Sequence, residues 1–317
     1  MTRVRLRLPG TSANLGPGFD SVAVALKVYL RLEACPAAQM EIAATGCDAE
    51  VCGATENNLL IDTYRLLLNA HERPFVPLRI AMHNEIPLGM GCGSSAAVRL
   101  AATALASHFG RLAWDRERIL DEASQLEGHP DNAAACWMGG FVASASEGNQ
   151  IRAVSIAPPE DWTAILVMPD RPLSTTASRA VLPAAYLRDD VVANLQRVAI
   201  LTAAFATGRA DLLATGMEDR LHQPYRGEFC PLLKTLLPLA RRPGIAGVAL
   251  SGAGPAVLLL ANSCDAASAA EKLIAGALEG MPAVSVLTCG LEKEPARFEC
   301  ETDQLGGCPR ETAEGPQ

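Results

Sequence analysis

One glycine-rich segment limits the fold of this chain more than any other feature of its sequence. The run Ile86-Pro87-Leu88-Gly89-Met90-Gly91-Cys92-Gly93-Ser94-Ser95-Ala96-Ala97 follows one apolar segment and leads directly into another. Because its three glycines have no Cβ, the backbone can take positive φ angles and bring N–H groups close to an anion. We interpret the run as a strand-to-helix turn that binds phosphate.

The residues after the last glycine predict the start of a helix. Ser94 or Ser95 lies where an N-cap is expected, and 96–109 predicts a helix that ends at Gly110. The free N–H groups of the first turn and the positive end of the helix dipole attract phosphate without a basic side chain. A tight turn that binds nothing is the alternative, and three glycines followed by two serines disfavour it.

Two common phosphate-binding motifs do not match this segment. A Walker A loop has a lysine directly after its last glycine, where this chain has Ser94. The Rossmann motif requires a third glycine at a different offset. The sequence therefore disfavours a P-loop NTPase and a Rossmann dehydrogenase.

Composition narrows the class of protein further. At 317 residues the chain suits two domains, and a net charge of -8 disfavours nucleic acid as a partner. We find no run of about 18 uncharged apolar residues, so no membrane span is expected. Residues 2–8 alternate with period two, which predicts a strand rather than a signal peptide and favours a cytoplasmic protein.

The cysteines predict free thiols. None of them forms a Cys-x-x-Cys pair, and we expect reduced side chains rather than disulfides or zinc ligands. Cys92, inside the glycine-rich run, is the thiol whose alkylation would bear on function. The ten positions are Cys35, Cys47, Cys52, Cys92, Cys136, Cys230, Cys264, Cys289, Cys300 and Cys308.

Two further loops place polar side chains beside glycine and proline. Residues 9–20 are too rich in glycine, proline and small polar residues to predict a helix or strand, and they offer the amide of Asn14 and the carboxylate of Asp20. On composition alone an ordinary Asx-type turn is favoured there. The turn Ser251-Gly252-Ala253-Gly254-Pro255 by itself predicts a hairpin connection.

The segment Glu127-Gly128-His129-Pro130-Asp131-Asn132 is dense in functional groups. Taken alone, His129 is typical of a helix-terminal imidazole, and Asp131 with Asn132 would cap the next segment, 133–137. Taken with the glycine-rich run, the segment is the best candidate for binding a metal and positioning a substrate.

The remaining pattern predicts mixed α and β structure in two domains. Domains are expected at 1–157 and 158–292, followed by a frayed polar tail at 293–317. Strands are expected at 2–8, 21–33, 78–86, 139–143, 163–168, 245–250, 256–261 and 283–289, and helices at 59–70, 114–126, 191–206, 210–222, 228–240 and 265–278.

Three motifs in order, 9–20, 87–97 and 251–255, resemble the GHMP kinase superfamily. Residues 11–20 and 127–132 resemble its homoserine kinase branch, and the resemblance extends over residues 3–291. It implies an α+β fold with an ATP-binding N-terminal domain like the second domain of ribosomal protein S5, including a left-handed crossover, and a ferredoxin-like C-terminal domain. It also implies transfer of the γ-phosphate of ATP to the side-chain hydroxyl of L-homoserine, for threonine synthesis, with Mg²⁺.

The resemblance also implies a role for each matching residue. Ser95 and Glu127 would bind Mg²⁺, and Asn58 would lie near the base of ATP. The triphosphate would contact Pro87, Leu88, Gly89, Met90, Gly91, Cys92, Gly93, Ser94, Ser95, Ala96 and Ala97.

The amino-acid site would have Asp20 at the ammonium group and Asn132 at the reacting hydroxyl, with His129 beside them; these three are the expected catalytic residues. The substrate-binding set is Asn14, Asp20, His129, Asn132, Thr175, Arg179, Arg226 and Gly254, with Thr175 and the two arginines at the carboxylate. Phosphoryl transfer can proceed by positioning and charge stabilisation, so no side-chain base is expected.

Some details stay open. Asp121 is a second candidate for Mg²⁺, any of Ser174, Thr175 and Thr176 could contact substrate, and Cys92 stands where leucine is usual. A kinase for L-threonine or mevalonate and a catalytically silent metabolite-binding protein are the functional alternatives. The oligomeric state also stays open, with a homodimer as the candidate that the resemblance offers, and no nucleic-acid or membrane partner is expected.

Overall fold

Two β-sheets, each covered by helices, organise the molecule. The computed structural model describes residues 2–173 and 175–302, without the side chains of Thr175 and Thr302. The first sheet has the strand order β11-β1-β2-β4-β3, with β5 paired to β2 and β6 to β5. Its strands are β1 (Thr2–Ala13), β2 (Val22–Pro36), β3 (Glu41–Gly46), β4 (Leu78–Asn84), β5 (Phe141–Glu147), β6 (Gln150–Ile156) and β11 (Arg297–Thr302).

The second sheet is antiparallel, with the order β10-β7-β9-β8. Its strands are β7 (Thr163–Pro169), β8 (Gly247–Leu250), β9 (Val257–Ala261) and β10 (Val284–Gly290). Every residue of β9 is buried, because one face of the sheet packs toward the first sheet and the other toward helices of the second unit. A continuous apolar run is typical of a strand buried on both faces.

Helices connect and cover these sheets. They are α1 (Ala49–Gly53), α2 (Leu59–Ala70), α3 (Ser94–Phe109), α4 (Arg116–Glu127), α5 (Asp131–Met138), α6 (Thr175–Ala180), α7 (Arg188–Thr207), α8 (Leu213–Gly216), α9 (Gln223–Arg226), α10 (Pro231–Leu236) and α11 (Cys264–Ala277). None of the helices in the described ranges is both long enough and apolar enough to cross a bilayer.

Helix α3 lies at the centre of the first unit. Its many alanines are buried, and their small side chains let the helix pack closely against α2, α4 and β1. This packing holds the N-terminus of α3 at the end of β4, where the glycine-rich run connects the two elements.

Aromatic packing joins the two units. Phe205 of α7 stacks on Phe141 of β5 with ring centroids 4.2 Å apart, and it meets the edge of Trp162 at 5.1 Å. One hydrophobic core therefore runs from the first sheet to the inner face of β7 and β9. A cleft lies where the two units face each other beside the glycine-rich run.

Two predictions near the N-terminal half are wrong in detail. Gly93, not a serine, is the N-cap of α3, because the loop needs a left-handed residue there and Gly93 has φ of 71°. Residues 10–13 continue β1 instead of forming a loop, since a register shift between Pro9 and Gly10 accommodates the proline within the sheet. The predicted end of α3 at Gly110 is confirmed.

The C-terminal half differs more from the prediction. The helix expected at 210–222 is a 3-10 turn (Ala210–Leu212) and α8, because the Asp219 carboxylate accepts the N–H groups of Leu221, His222 and Gln223 and bends the chain. The helix expected at 228–240 starts at Pro231 and ends in a second 3-10 turn, Leu237–Leu239.

The expected frayed tail is wrong for the part that the structure describes. Residues Arg297–Thr302 form β11 and pair with β1, so the chain returns from the second sheet to the first. An exposed edge strand is as rich in charged residues as a polar tail, so the composition of this segment did not indicate a strand. Residues 303–317, including Cys308, lie outside the described residues. The domain boundaries 157/158 and 292/293 remain predictions.

Candidate active site

The glycine-rich run forms a tight loop between β4 and α3. Gly89, Gly91 and Gly93 have φ angles of 68°, 80° and 71°. An added Cβ at Gly91 would lie 2.3 Å from the carbonyl oxygen of Ser251, and one at Gly93 would lie 1.9 Å from Thr11 Oγ1. Glycine is therefore required for both conformation and space.

Four consecutive carbonyl groups anchor this loop to other segments. The carbonyl oxygens of Gly89 and Met90 accept from the N–H groups of Leu173 and Ala256 at 3.2 Å. The next two, of Gly91 and Cys92, accept from Ser251 Oγ at 2.7 Å and from the Thr11 N–H at 3.0 Å. Because C=O and N–H point in opposite directions across a peptide, the N–H groups of the loop are free to face the cleft. The loop has the geometry of an anion site.

The junction of α4 and α5 faces this loop. Helix α4 ends at Gly128, which has φ of 84°, and Pro130 precedes α5. His129 Nδ1 lies 2.7 Å from Asp131 Oδ1, and the same oxygen accepts the N–H of Asn132 at 2.7 Å. Burial lowers the pKa of His129, but the hydrogen bond and negative charge of Asp131 outweigh burial and raise the pKa above its usual value.

Glu127 meets the first turn of α3. The Ser95 hydroxyl donates a hydrogen bond to Oε1 of Glu127, and Arg99 Nε lies 2.8 Å from Oε2. This ion pair is not aligned as a hydrogen bond, so the buried Oε2 accepts none from the described groups. Thr11 Oγ1 donates to Asn132 Oδ1 at 2.6 Å and closes the adjacent wall.

The connection between β1 and β2 forms a second wall of the site. Asn14 Oδ1 accepts the N–H of Asp20 at 3.0 Å, and its amide donates to the carbonyl of Gly252 at 2.9 Å. Asn14 therefore supports the loop with both ends of its amide, through contacts six residues along the chain and with the second unit rather than the local bond of an Asx-type turn. Asp20 extends from a left-handed residue with φ of 54°.

Charged side chains from the second unit complete this wall. Asp20 binds the guanidinium of Arg179, from α6, through two hydrogen bonds of 2.6 Å and 3.0 Å. Arg226, from α9, is 3% exposed, and burial with the nearby Arg179 lowers its pKa to about 10. Both guanidinium groups lie over the ring of Phe19, at 5.3 Å and 5.2 Å.

These segments enclose a cavity of about 160 Å³. Most of the predicted site residues line it, although they come from separate parts of the chain. Those in the lining are Asn14, Asp20, Gly89, Gly91, Gly93, Ser94, Ser95, Glu127, His129, Asn132, Arg179, Arg226 and Gly254.

Other predicted residues lie away from the lining. Asn58 caps α2 by accepting from Leu60 N at 3.0 Å, and its amide donates to the carbonyls of Cys52 and Ala54. Leu88 donates its N–H to Asp48, whereas Pro87 and Met90 are half-buried. The side chains of Cys92, Ala96 and Ala97 are buried behind the loop.

The structure bears on three details that the sequence left open. Asp121 accepts the N–H of Ile151 at 2.8 Å, so it serves β6 and not the cavity. Ser174 and the side chain of Thr175 lie outside the described residues, while Thr176 is exposed. The Cys92 side chain is fully buried and belongs to the hydrophobic core of the first unit.

Sequence reasoning missed four contributors. Asp131 was included in the candidate segment 127–132 without a role of its own, and Thr11, Arg99 and Ser251 were given no individual role, although each contacts a predicted site residue or the glycine loop. Thr11 and Ser251 lie within the motifs already singled out. Arg99, one turn after Ser95, was detectable from its helical spacing.

Two family models match the chain. The model described as GHMP kinases N terminal domain matches residues 58–140, and the model described as GHMP kinases C terminal matches residues 201–277. Together they include the glycine loop, the α4–α5 junction and Arg226.

Proteins named homoserine kinase are similar to this chain over most of its length. The one from Solibacter usitatus is 46% identical over 255 residues, which is 80% of this chain and 84% of that protein. The one from Moorella thermoacetica is 39% identical over 80% of this chain and 86% of that protein.

Solved structures share the fold. A homoserine kinase from Cytophaga hutchinsonii superimposes with a TM-score of 0.79 at 22% identity, covering 94% of this chain and 97% of that one. A mevalonate kinase from L. major gives a TM-score of 0.68 at 17% identity, covering 92% and 96%.

Proposed function

The chain belongs to the homoserine kinase branch of the GHMP kinase family, and we propose that it transfers the γ-phosphate of ATP to the side-chain hydroxyl of L-homoserine, giving O-phospho-L-homoserine for threonine synthesis. One observation carries the proposal. A backbone anion site and an Asp20/Arg179/Arg226 charge cluster line the same cavity. That arrangement suits a phosphate donor and a small zwitterion.

The glycine loop binds the triphosphate in this proposal. Its N–H groups and the first turn of α3 supply hydrogen-bond donors without a lysine. The carbonyl anchors to Thr11, Ser251 and Ala256 hold these donors in place before ATP arrives. Such preorganised donors stabilise the charge on a transferring phosphoryl group.

Mg²⁺ fits the residues beside this loop. The buried Oε2 of Glu127 accepts no hydrogen bond from the described groups, and Ser95 Oγ lies next to the other carboxylate oxygen. Hydroxyl and carboxylate oxygens are ligands that Mg²⁺ prefers, so Ser95 and Glu127 would hold it. The bound ion would neutralise negative charge on the phosphate oxygens.

The charge cluster binds the amino acid. Asp20 would receive the ammonium group, while Arg179 and Arg226 would receive the carboxylate. In the described structure Asp20 and Arg179 satisfy each other, so the substrate replaces one ion pair with two. A ligand with only one of these charges leaves Asp20 or Arg179 without its partner, which costs binding energy.

The two carboxylates considered as a base, Asp131 and Asp20, are both engaged by other groups among the described residues. Asp131 Oδ1 is bound by His129 and by the N–H of Asn132, and Asp20 is bound by Arg179. We propose that Asn132 orients the substrate hydroxyl and that its proton passes to phosphate late in the transfer. Loss of turnover in Asp131→Asn or Asp20→Asn at saturating substrates, with unchanged binding constants, contradicts this proposal.

A coupled ADP-release assay with ATP and Mg²⁺ tests the function. L-homoserine, L-threonine, L-serine and mevalonate are compared in parallel, and we expect a clear preference for L-homoserine. Activity with mevalonate alone would discard the proposed carboxylate site and keep the fold. Absence of transfer with all four would favour a silent metabolite-binding protein.

The oligomeric state and the cellular location of the chain are also part of the proposal. We propose a homodimer, which sedimentation analysis of the purified chain can check. We also propose a cytoplasmic location, because the reaction consumes ATP.

A further inference from the structure

One buried imidazole joins the two halves of the amino-acid pocket. His222, directly before α9, is 0% exposed. Its Nε2 lies 2.7 Å from the carbonyl oxygen of Gly16, and its Nδ1 lies 3.1 Å from Nη1 of Arg226. It therefore bridges the β1–β2 connection, which carries Asp20, and the guanidinium proposed to bind the carboxylate.

These partners fix the protonation state of His222. A guanidinium only donates hydrogen bonds, so Nδ1 must accept from Arg226. A carbonyl oxygen only accepts, so Nε2 carries the hydrogen and donates it to Gly16. Burial lowers the pKa of His222, and Arg226 lowers it further against the opposing charge of Asp219. The imidazole is neutral, with its hydrogen on Nε2.

The hydrogen bond orients Arg226. Its Nε donates to the carbonyl of Ser178 at 3.2 Å, and Nη1 donates to the carbonyl of Gly252 at 3.3 Å as well as to His222. Within the described residues, these acceptors use Nε and both hydrogens of Nη1. Nη2 has no acceptor among the described residues, and because Arg226 lines the cavity beside Asp20 and Arg179, its two hydrogens can bind a ligand there.

The same residue supports the β1–β2 connection. Gly16 lies so close to the second unit that an added Cβ would be 2.0 Å from the carbonyl oxygen of Met217. The next residue, Pro17, accepts from Asn194 Nδ2 at 3.3 Å, and the ring of Phe19 lies 5.4 Å from that of His222. Among the residues that the structure describes, His222 and Asn194 are thus the two side chains that hydrogen-bond the backbone of this connection from the second unit.

Asp219 holds His222 in position. Its carboxylate accepts the backbone N–H groups of His222 and Gln223 at 2.9 Å and 2.6 Å. It also accepts from Asn194 at 2.7 Å. The bend that interrupts the helix expected at 210–222 therefore places His222 between Gly16 and Arg226.

We propose that His222 is a positioning residue for the amino-acid substrate, holding Nη2 of Arg226 toward the cavity while it holds the Asp20-bearing connection against the second unit. This role rests on the proposed function. It predicts that His222 governs the KM for L-homoserine and leaves the KM for ATP and kcat largely unchanged.

Two substitutions of His222 test its hydrogen bonds to Arg226 and to Gly16 separately. In His222→Asn, Oδ1 takes the place of Nδ1 and can still accept from Arg226. In His222→Gln, the longer amide reaches Gly16 but leaves Arg226 without this acceptor. A hydrogen bond to a charged group corresponds to about a tenfold to hundredfold effect on binding, so we expect the KM for L-homoserine to rise at least about tenfold in His222→Gln and less than about fivefold in His222→Asn.

The control measurements are the KM for ATP, kcat and the thermal midpoint of each variant. Equal KM values for L-homoserine in both variants, or changes confined to kcat and the KM for ATP, overturn the role. An inactive wild type removes the proposed function and this role together, whereas an active wild type with an unchanged KM in His222→Gln overturns the role alone.

If a variant does not fold, nitrogen NMR of the wild-type chain tests the protonation state of His222 directly. The His222 signals, assigned by their loss in either variant or by contacts to Phe19, are expected to show bare Nδ1 and protonated Nε2 at neutral pH. An imidazolium or the opposite tautomer overturns the role.

Discussion

The phosphate loop and the amino-acid pocket line the same cavity and are built in different ways. The loop is a single stretch of backbone whose three glycines take positive φ angles and whose carbonyls are bound from outside. The pocket consists of charged side chains from four segments that are far apart in the sequence, at Asp20, His129, Arg179 and Arg226.

Because of this difference, we expect the loop and the pocket to tolerate different substitutions. The loop depends on backbone conformation and on space, so an added Cβ should damage it while changes of charge should matter little. The pocket depends on paired charges and on the planar fork of arginine, so substitutions that keep the backbone intact should still damage it. The predictions below test this contrast.

The largest effect is expected from Gly91→Ala. The substitution forces alanine to φ of 80° and places its Cβ 2.3 Å from one backbone oxygen, so the loop must shift. A displacement of about 1 Å can reduce rate about 100-fold, and we expect a decrease of that order in kcat/KM for ATP. Gly276→Ala is the matched control, because an added Cβ there has no neighbour within 4 Å. Similar kinetics in both variants would show that the loop does not depend on its backbone.

Arg226→Lys should affect the other half of the cavity. Lysine keeps the positive charge but loses the fork that holds Ser178, Gly252 and His222. We expect the KM for L-homoserine to rise about 30-fold, with the KM for ATP changed less than about twofold. Arg241→Lys, at an exposed ion pair with Glu218, is the control. A rise in the KM for ATP of equal size would remove the distinction between the two halves.

A smaller effect concerns pH. The raised pKa of His129 means that its protonated form is favoured by folding, mainly through Asp131 against the effect of burial. This contribution is complete below the unfolded value of about 6.5 and disappears as pH rises through the higher folded pKa. We expect His129→Gln to lower the free energy of unfolding by ~1 kcal/mol more at about pH 5.5 than at about pH 9. Urea unfolding at the two pH values measures it, and an equal or reversed difference contradicts the assignment.

The smallest effect is expected at Cys92. Its side chain lies in the loop but points behind it, and burial raises the pKa of the thiol to about 12. Iodoacetamide should therefore modify exposed Cys47 and Cys264 in the folded protein and leave Cys92 unmodified. Peptide mass spectrometry checks this, with urea-unfolded protein as the positive control. Modification of Cys92 at the rate of Cys47 would place its side chain on the accessible side of the loop.

The same contrast explains which parts were predictable. The glycine loop, helix α2 and the end of α3 follow from local patterns, because turn residues, caps and helical periodicity act within a few positions. Strand β6, the helices α6 and α9 and the return of β11 to the first sheet were not predicted. These elements are short or polar, and their stability comes from pairing with distant segments rather than from local preference.

The site residues divide in the same way. Motif resemblance indicated Asp20, His129, Arg179 and Arg226, but it did not indicate that Asp20 and Arg179 bind each other or that Asn14 hydrogen-bonds the backbone of Asp20 and Gly252. Such pairings depend on the distance between segments, which no spacing in the sequence specifies.

By itself, the sequence determined a phosphate-binding turn at the start of an alanine-rich helix, a mixed α and β chain, and the set of charged residues available to a substrate. Only the tertiary structure decided that these charges meet in one cavity and that His222 bridges two of the segments. The physical reason is the separation along the chain over which each kind of interaction acts. Backbone conformation is set by neighbouring residues, whereas this charge cluster requires the two units to be held together, as they are by the hydrophobic core around Phe205.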